Sequence, residues 1–114
     1  PDAEAVDLEI IGPVVENDPL FPEQTNVQVV HISGKNRLRM RVWERGVGVT
    51  LASGSSSCAV AVAAARLGLT GRTVKIELDG GEILIDWRPD GVWMTGATLH
   101  VFDGVLTQHF LDNG

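Results

Sequence analysis

A serine-rich segment, residues 53–57, precedes an apolar stretch that predicts a helix from about residue 58 to 67. The first N–H groups of a helix have no partner within it, and the helix dipole adds about half a positive charge at that end. Gly54 would let a ligand approach the backbone closely. The segment therefore predicts a site for a carboxylate or a phosphate. The alternative is purely structural, with Ser55 or Ser56 capping the helix.

Glu44 and Arg45 stand side by side at the end of an amphipathic strand, just before Gly46 and Gly48. A carboxylate beside a guanidinium could bind the ammonium and the carboxylate of an amino acid, because arginine pairs with a carboxylate through two parallel hydrogen bonds. The alternative is a solvated strand end, where charged side chains are common.

Other catalytic and metal-binding patterns find no support in the sequence. The glycines at 46 and 48 lack the third glycine of a dinucleotide-binding loop, and neither a P-loop nor a GxSxG motif is present. Cys58 is the one cysteine, and with His31, His100 and His109 scattered along the chain it forms no zinc motif. We expect no bound metal, and we expect Cys58 to face the core as a small hydrophobic residue, inert to thiol reagents.

Length and composition limit the class of protein. The 114 residues are 44% hydrophobic and 21% charged, with a net charge of −6. These values predict one globular domain, and the negative charge argues against nucleic acid or an anionic membrane as partner. No apolar run reaches the length of a transmembrane helix, so a cytoplasmic protein is expected. Residues 1–5 read as a linker, and the start at Pro1 rather than Met suggests a piece of a longer protein.

Strands must position these candidate residues. Residues 37–43 alternate, which predicts a strand with Leu38, Met40 and Val42 on one face and the arginines 37, 39 and 41 on a solvent face. A hairpin through residues 33–36 joins it to a strand at 27–32. Further strands are predicted at residues 49–52, 74–78, 82–87 and 92–95, with a final pair within 99–106.

Two helical regions complete the prediction. A short helix is expected over residues 6–11, stopped by Gly12-Pro13, with a second helical turn at 13–16. The helix over 58–67 has no polar side chain before Arg66 and ends at Gly68, so it is expected to be buried on all sides. Together the elements predict an α+β fold in which a curved, largely antiparallel (mixed) sheet wraps around one central apolar helix.

A series of short motifs occurs in the same order in a known family. They are Gly12-Pro13, PLFP at 19–22, TNV at 25–27, RVWERGVG at 41–48, the stretch 52–59, Gly80-Gly81 and MTG at 94–96. The Trp-Glu-Arg-Gly block, followed at a fixed distance by the helix-start segment, is the most specific. Over essentially its whole length the chain resembles diaminopimelate epimerase, a pyridoxal-independent amino-acid epimerase of lysine and cell-wall synthesis.

The resemblance implies that residues 1–114 are the second, C-terminal domain of a two-domain enzyme that interconverts LL- and meso-diaminopimelate. In that family two cysteines, on opposite sides of the substrate α-carbon, remove and return the proton. No pyridoxal phosphate, metal or other cofactor is implied. The implied partners are an amino-acid substrate and the N-terminal domain of the same parent chain, and a homodimer is compatible with the resemblance.

Site residues follow from the resemblance by their position in the motifs. It assigns Asn26 and Arg45 to the distal carboxylate of the substrate and Glu44 to an ammonium group. It assigns the N–H groups of Gly54 and Ser55 to the carboxylate at the reacting centre, in agreement with the anion site expected at the helix start.

Ser53 departs from the family pattern. The motif reads Ala-Cys-Gly-(Ser/Thr)-Gly-x-Cys, whereas residues 52–58 read ASGSSSC, so Ser53 occupies the catalytic thiol position and Cys58 matches the second, non-catalytic cysteine. The pKa of a thiol at a helix start can fall from about 8.5 to roughly 3.5–7.5, a range that a hydroxyl cannot reach. Ser53 has two alternative explanations: an engineered substitution that inactivates the enzyme, or a natural change toward reduced or altered activity. A non-catalytic amino-acid-binding module and a related racemase or isomerase are the alternative functions.

Overall fold

The computed structural model describes residues 2–114, which contain three α-helices and six strands. The helices are α1 (Leu8–Glu16), α2 (Gly54–Arg66) and α3 (Gln108–Asn113). The strands are β1 (Val27–Gly34), β2 (Arg37–Glu44), β3 (Gly48–Thr50), β4 (Thr73–Leu78), β5 (Gly81–Arg88) and β6 (Gly91–Gly96).

The strands form one open sheet in the order β1-β2-β4-β5-β6, with β3 paired to β2 beside that path. All neighbours are antiparallel except β2 and β4, which are parallel and pair Leu38 with Ile76. A parallel pair needs a long connection, and here the chain passes through β3 and α2 between the two strands. The predicted α+β class and the largely antiparallel, mixed sheet are confirmed.

The core lies between α2 and the inner face of the sheet. The alternation predicted for β2 is confirmed, because Leu38, Met40 and Val42 are each at most 1% exposed. Leu38 and Met40 cluster with Ile76 of β4 and Ile85 of β5, which are completely buried. The α2 members of this cluster are Val60, Ala61 and Ala64. Their small side chains allow the helix to lie close to the strands.

Helix α2 differs from its prediction in its start and in its burial. It begins at Gly54 rather than at residue 58, because Ser53 caps it. Its end follows the prediction: Gly68 has a φ of +73°, and Leu69 N–H donates to the Ala64 carbonyl in a Schellman arrangement. The open sheet covers only one side of the helix, so Ala59 is exposed and the expected burial on all sides is wrong for the described residues.

The outer face of β2 carries arginines that are paired rather than free. Arg37 forms ion pairs with Glu77 and Glu82, and Arg37 holds the pKa of the Glu77 carboxyl below its ordinary value. Arg39 pairs with Glu4 and Asp79, and its side chain is only 17% exposed. The predicted solvent face is therefore wrong, because acidic side chains from neighbouring segments cover it.

The first described residues belong to the folded structure, contrary to the expected linker at 1–5, of which Pro1 lies outside the described residues. Ala3–Ala5 forms a 3₁₀ turn, and Ala3 is 1% exposed. Arg41 Nη1 donates to the Ala3 and Val6 carbonyls at 3.3 and 2.9 Å, and Ala3 N–H donates to His31 Nδ1 at 2.9 Å. These bonds fix the turn on the outer face of the sheet.

Helix α1 runs without a break through Gly12 and Pro13, so the predicted stop at this pair and the separate turn at 13–16 are wrong. Proline usually interrupts a helix because it has no N–H to donate. Here the helix packs closely on the sheet, since a Cβ on Gly12 would lie 2.4 Å from Cδ2 of Trp43. The Pro13 carbonyl also accepts from both the backbone N–H and the side-chain amide of Asn17.

The predicted strand pair within 99–106 is absent. Residues 97–107 have no regular structure, and α3 follows them. Their apolar side chains face solvent, with Phe102 80% and Val105 95% exposed. A two-stranded hairpin is marginally stable unless an apolar surface packs on it, and every residue from 97 to 107 is exposed within residues 2–114.

Replacing Gly12 with alanine should destabilise the protein. The added methyl group would overlap the Trp43 ring, and overpacking typically costs about 1–3 kcal/mol. Gly34→Ala is the matched control, because its Cβ would meet no atom closer than 3.5 Å. Urea denaturation measures both losses, and equal losses would contradict this account of Gly12.

Candidate active site

The turn that follows β2 carries Arg45, and Asn26, just before β1, lies beside it. Asn26 Oδ1 accepts a hydrogen bond from the Arg45 backbone N–H at 2.7 Å, and Arg45 Nη1 donates to the Glu23 carbonyl at 2.8 Å. The side-chain amide N–H groups of Asn26 have no partner within residues 2–114. The structure thus brings Asn26 and Arg45 together, and both keep donors that can bind a carboxylate.

Glu44 lies at the last position of β2, opposite the strand that leads into α2. Thr50 Oγ1 donates to Glu44 Oε1 at 2.7 Å, and the β2–β3 register pairs Glu44 with Gly48. Ser53 lies three positions after Thr50, a span of at most about 11 Å. Glu44 therefore lies near the start of α2, as an active site built from both segments requires.

Ser53 is the N-cap of α2, so the alternative cap at Ser55 or Ser56 is wrong. Its Oγ accepts from the Ser56 N–H at 3.4 Å, and its carbonyl accepts from both the N–H and the hydroxyl of Ser57. The N–H groups of Gly54 and Ser55 have no partner within the described residues. The helix start is capped, and it still offers two donors to an anion.

A groove of about 490 Å³ opens beside this helix start, and Ala52, Met94 and Gly96 are among its lining residues. Met94 also lies against Gly54, where a Cβ would be 2.9 Å from its sulfur. Any side chain at residue 54 would displace Met94. The motif MTG at 94–96 is part of the family resemblance, but no role was assigned to Met94, because an apolar residue on a strand looks like ordinary core.

Glu16 is a second residue that the sequence did not reveal. It is 6% exposed, and its two oxygens accept hydrogen bonds from Trp43 Nε1 at 2.7 Å and from the Gly46 N–H at 2.8 Å. These two donors hold the pKa of the Glu16 carboxyl below its ordinary value. The signal was the helical spacing: Leu8, Gly12 and Glu16 lie four residues apart on the buried side of α1.

Metal-binding and membrane-spanning features are absent from the described chain. No three His, Cys, Asp or Glu side chains within residues 2–114 could hold a metal ion together. No helix in this range is long and apolar enough to cross a membrane. The histidines bond away from the site, His31 with Ala3 and His100 with Asp103.

The fold is shared with a class of solved proteins. The structure of the Bacillus anthracis phenazine biosynthesis protein of the PhzF family matches this chain with a TM-score of 0.57 at 18% identity. The match covers 82% of this chain and 31% of that chain. At this identity the similarity concerns the fold alone, which is an open, mostly antiparallel sheet packed on one helix.

Sequence comparison then identifies the family. The family model for diaminopimelate epimerase matches residues 1–101. The diaminopimelate epimerases of Rhodospirillum centenum and Afipia carboxidovorans are 54% and 53% identical to this chain over 111 and 107 residues. The chain belongs to the diaminopimelate epimerase family. The matches cover 96% and 92% of this chain but 38% and 37% of those relatives, so it spans well under half of their length.

Cys58 should react slowly with a thiol reagent in the folded protein. It is half-buried and packs against the core cluster, so access to its sulfur is restricted. Labelling at neutral pH, compared with labelling in concentrated urea, measures this protection. Equal rates in the two conditions would contradict it.

Proposed function

We propose that residues 1–114 form the C-terminal domain of a two-domain diaminopimelate epimerase that interconverts the LL and meso isomers by proton transfer at the α-carbon. The family membership supports this reaction, and the relatives' greater length supports a longer parent chain. The reaction would need neither pyridoxal phosphate nor a metal. It would serve lysine and cell-wall biosynthesis in the cytoplasm.

The observation that carries the proposal is the pair of unpartnered N–H groups, on Gly54 and Ser55, at the start of α2. They would bind the carboxylate at the reacting centre, where the helix dipole favours a negative charge. Glu44 would bind an ammonium group from the end of β2. An α-amino acid carries both a carboxylate and an ammonium group. The start of α2 would bind the carboxylate and the end of β2 the ammonium group, and β3 connects these two segments.

The distal end of diaminopimelate would be recognised by Arg45 and Asn26. Diaminopimelate carries an amino-acid group at both ends. The carboxylate of the end that does not react requires hydrogen-bond donors away from the reacting carbon. The Arg45 guanidinium and the unpartnered Asn26 amide are such donors, fixed to each other by the 2.7 Å bond from Arg45 N–H to Asn26 Oδ1.

Ser53 favours a second candidate function, that of a domain that binds an amino acid without turning it over. The Oγ of Ser53 caps α2, and the residue is only 7% exposed. A hydroxyl at this point cannot match the acidity of a thiol. Loss of one acid–base group typically lowers the rate by about 10²–10⁴. Ser53 would then preserve the helix start while proton transfer is lost or slow.

The exposed apolar residues after β6 support a partner domain in the parent chain. Leu99, Val101, Phe102 and Val105 are 79–95% exposed, and a cluster of this kind usually marks a protein contact. We assign this contact to the N-terminal domain, and a homodimer is compatible with the same surface.

In the parent protein, Arg45→Met should weaken the binding of meso-diaminopimelate about tenfold or more, because hydrogen bonds to charged groups typically contribute about 1.5–3 kcal/mol. Arg66→Met is the matched control, since Arg66 lies exposed at the end of α2. Arg39 is unsuitable, because it is held in ion pairs. Isothermal titration calorimetry measures both variants. Equal losses would show that Arg45 contributes only charge.

Ser53→Cys tests the proton-transfer position itself. In the parent protein the new thiol should have a pKa below about 8.5, because it adjoins unpartnered N–H groups at a helix start. Deuterium exchange at the substrate α-carbon should rise at least about tenfold. A normal thiol pKa with no gain in exchange would argue against catalysis at this position and favour the binding domain. Thermal unfolding checks that this nearly isosteric change preserves the fold.

A further inference from the structure

Glu16 has no part in the proposed chemistry, yet it is a buried carboxylate bonded directly to the site's supporting turn. It belongs to α1, whereas both of its donors lie next to Glu44 and Arg45: Trp43 precedes this pair and Gly46 follows it. Burying a carboxylate is costly unless its oxygens are satisfied. Glu16 meets this requirement with one N–H on each oxygen.

The turn has few other restraints on its backbone. Gly46 and Gly48 both have positive φ values, +72° and +106°, so the chain here adopts conformations that other residues rarely occupy. One internal bond closes the turn, from the Val47 N–H to the Glu44 carbonyl at 3.0 Å. A glycine amide without an external anchor would have several accessible orientations, and the adjacent Arg45 would change direction with it.

Two side chains from different segments fix consecutive amides of this turn. Asn26 accepts from the Arg45 N–H, and Glu16 accepts from the Gly46 N–H. The Trp43 indole, which packs on Gly12 of α1, keeps the Glu16 carboxylate in register with the end of β2. The Arg45 guanidinium also donates to the Glu23 carbonyl, and its direction depends on α1 as well, because α1 anchors the turn that carries it.

We propose that Glu16 is a positioning residue, which orients Arg45 toward the distal carboxylate of the substrate by fixing the Gly46 amide. This role rests on the proposed function. Glu16 acts through Arg45 and touches neither the substrate nor the reacting carbon. Its loss weakens substrate binding and leaves the saturated rate of α-proton exchange nearly unchanged.

The test is a double-mutant cycle in the parent protein, read out as the dissociation constant of meso-diaminopimelate. Glu16→Gln keeps the size of the side chain, but its NH₂ group would face one of the two N–H donors. We expect affinity to fall about tenfold in the wild-type background and less than about twofold in Arg45→Met, because residues linked through one backbone turn couple. Independent, additive losses would overturn the proposal, as would a fall in the saturated exchange rate equal to the loss of affinity.

Ile85→Val is the control for an effect of lost stability alone, because it truncates a core side chain that touches no part of the turn. We expect it to lower the melting temperature without changing the dissociation constant. Weakened binding in Ile85→Val equal to that in Glu16→Gln would overturn the positioning role.

Failure of the proposed function is distinguishable from failure of this inference. Absence of binding by the wild-type parent would overturn the function, and amide hydrogen exchange at Gly46 then tests Glu16 without any substrate. Faster exchange at Gly46 in Glu16→Gln, but not in Ile85→Val, supports the anchor. Unchanged exchange overturns it.

Discussion

The burial of the first turn of α2 is the constraint on which the site depends. A helix that starts beneath a sheet must satisfy its polar groups there. Ser53 caps the backbone, Ser57 donates back to the Ser53 carbonyl, and Gln28 of β1 donates to Ser56 Oγ at 3.0 Å. This arrangement consumes every hydroxyl of the turn except that of Ser55. Gly54 is half-buried and Ser55 is exposed, so their unpartnered amides lie at the open side of this turn.

Ser53 separates two tasks that a cysteine could perform together. A side-chain oxygen at the N-cap position satisfies the helix, and a thiolate there could also exchange a proton. Serine preserves the first task and sacrifices the acidity that the second requires. Family membership and stability are therefore compatible with a domain whose chemistry has changed, and only activity distinguishes the cases.

Sequence patterns predicted the parts of the fold in which local and tertiary preferences coincide. The alternation in β2 was sufficient to predict which of its side chains are buried, because Leu38 and Met40 lie on its apolar face and that face forms part of the core. The serines at 53–57 look like a loop, so the true start of α2 was hidden. Glu16 was missed because Gly12-Pro13 suggested a helix end, which removed the spacing that would have placed it on the buried side. The exposed segment 97–107 shows that apolar residues on both sides of an Asp-Gly pair do not by themselves form a strand pair.

The 3₁₀ turn at Ala3–Ala5 has a consequence for how the protein can be cut. The Ala3 carbonyl accepts a hydrogen bond from Arg41, and Glu4 pairs with Arg39, so the turn is bound to the outer face of the sheet at two points. A protease that removed residues 3–5 would do more than shorten the N-terminal segment. It would expose the guanidinium groups of Arg39 and Arg41 and the surface that the buried Ala3 covers, so resistance to digestion at this point reports whether the sheet beneath is intact.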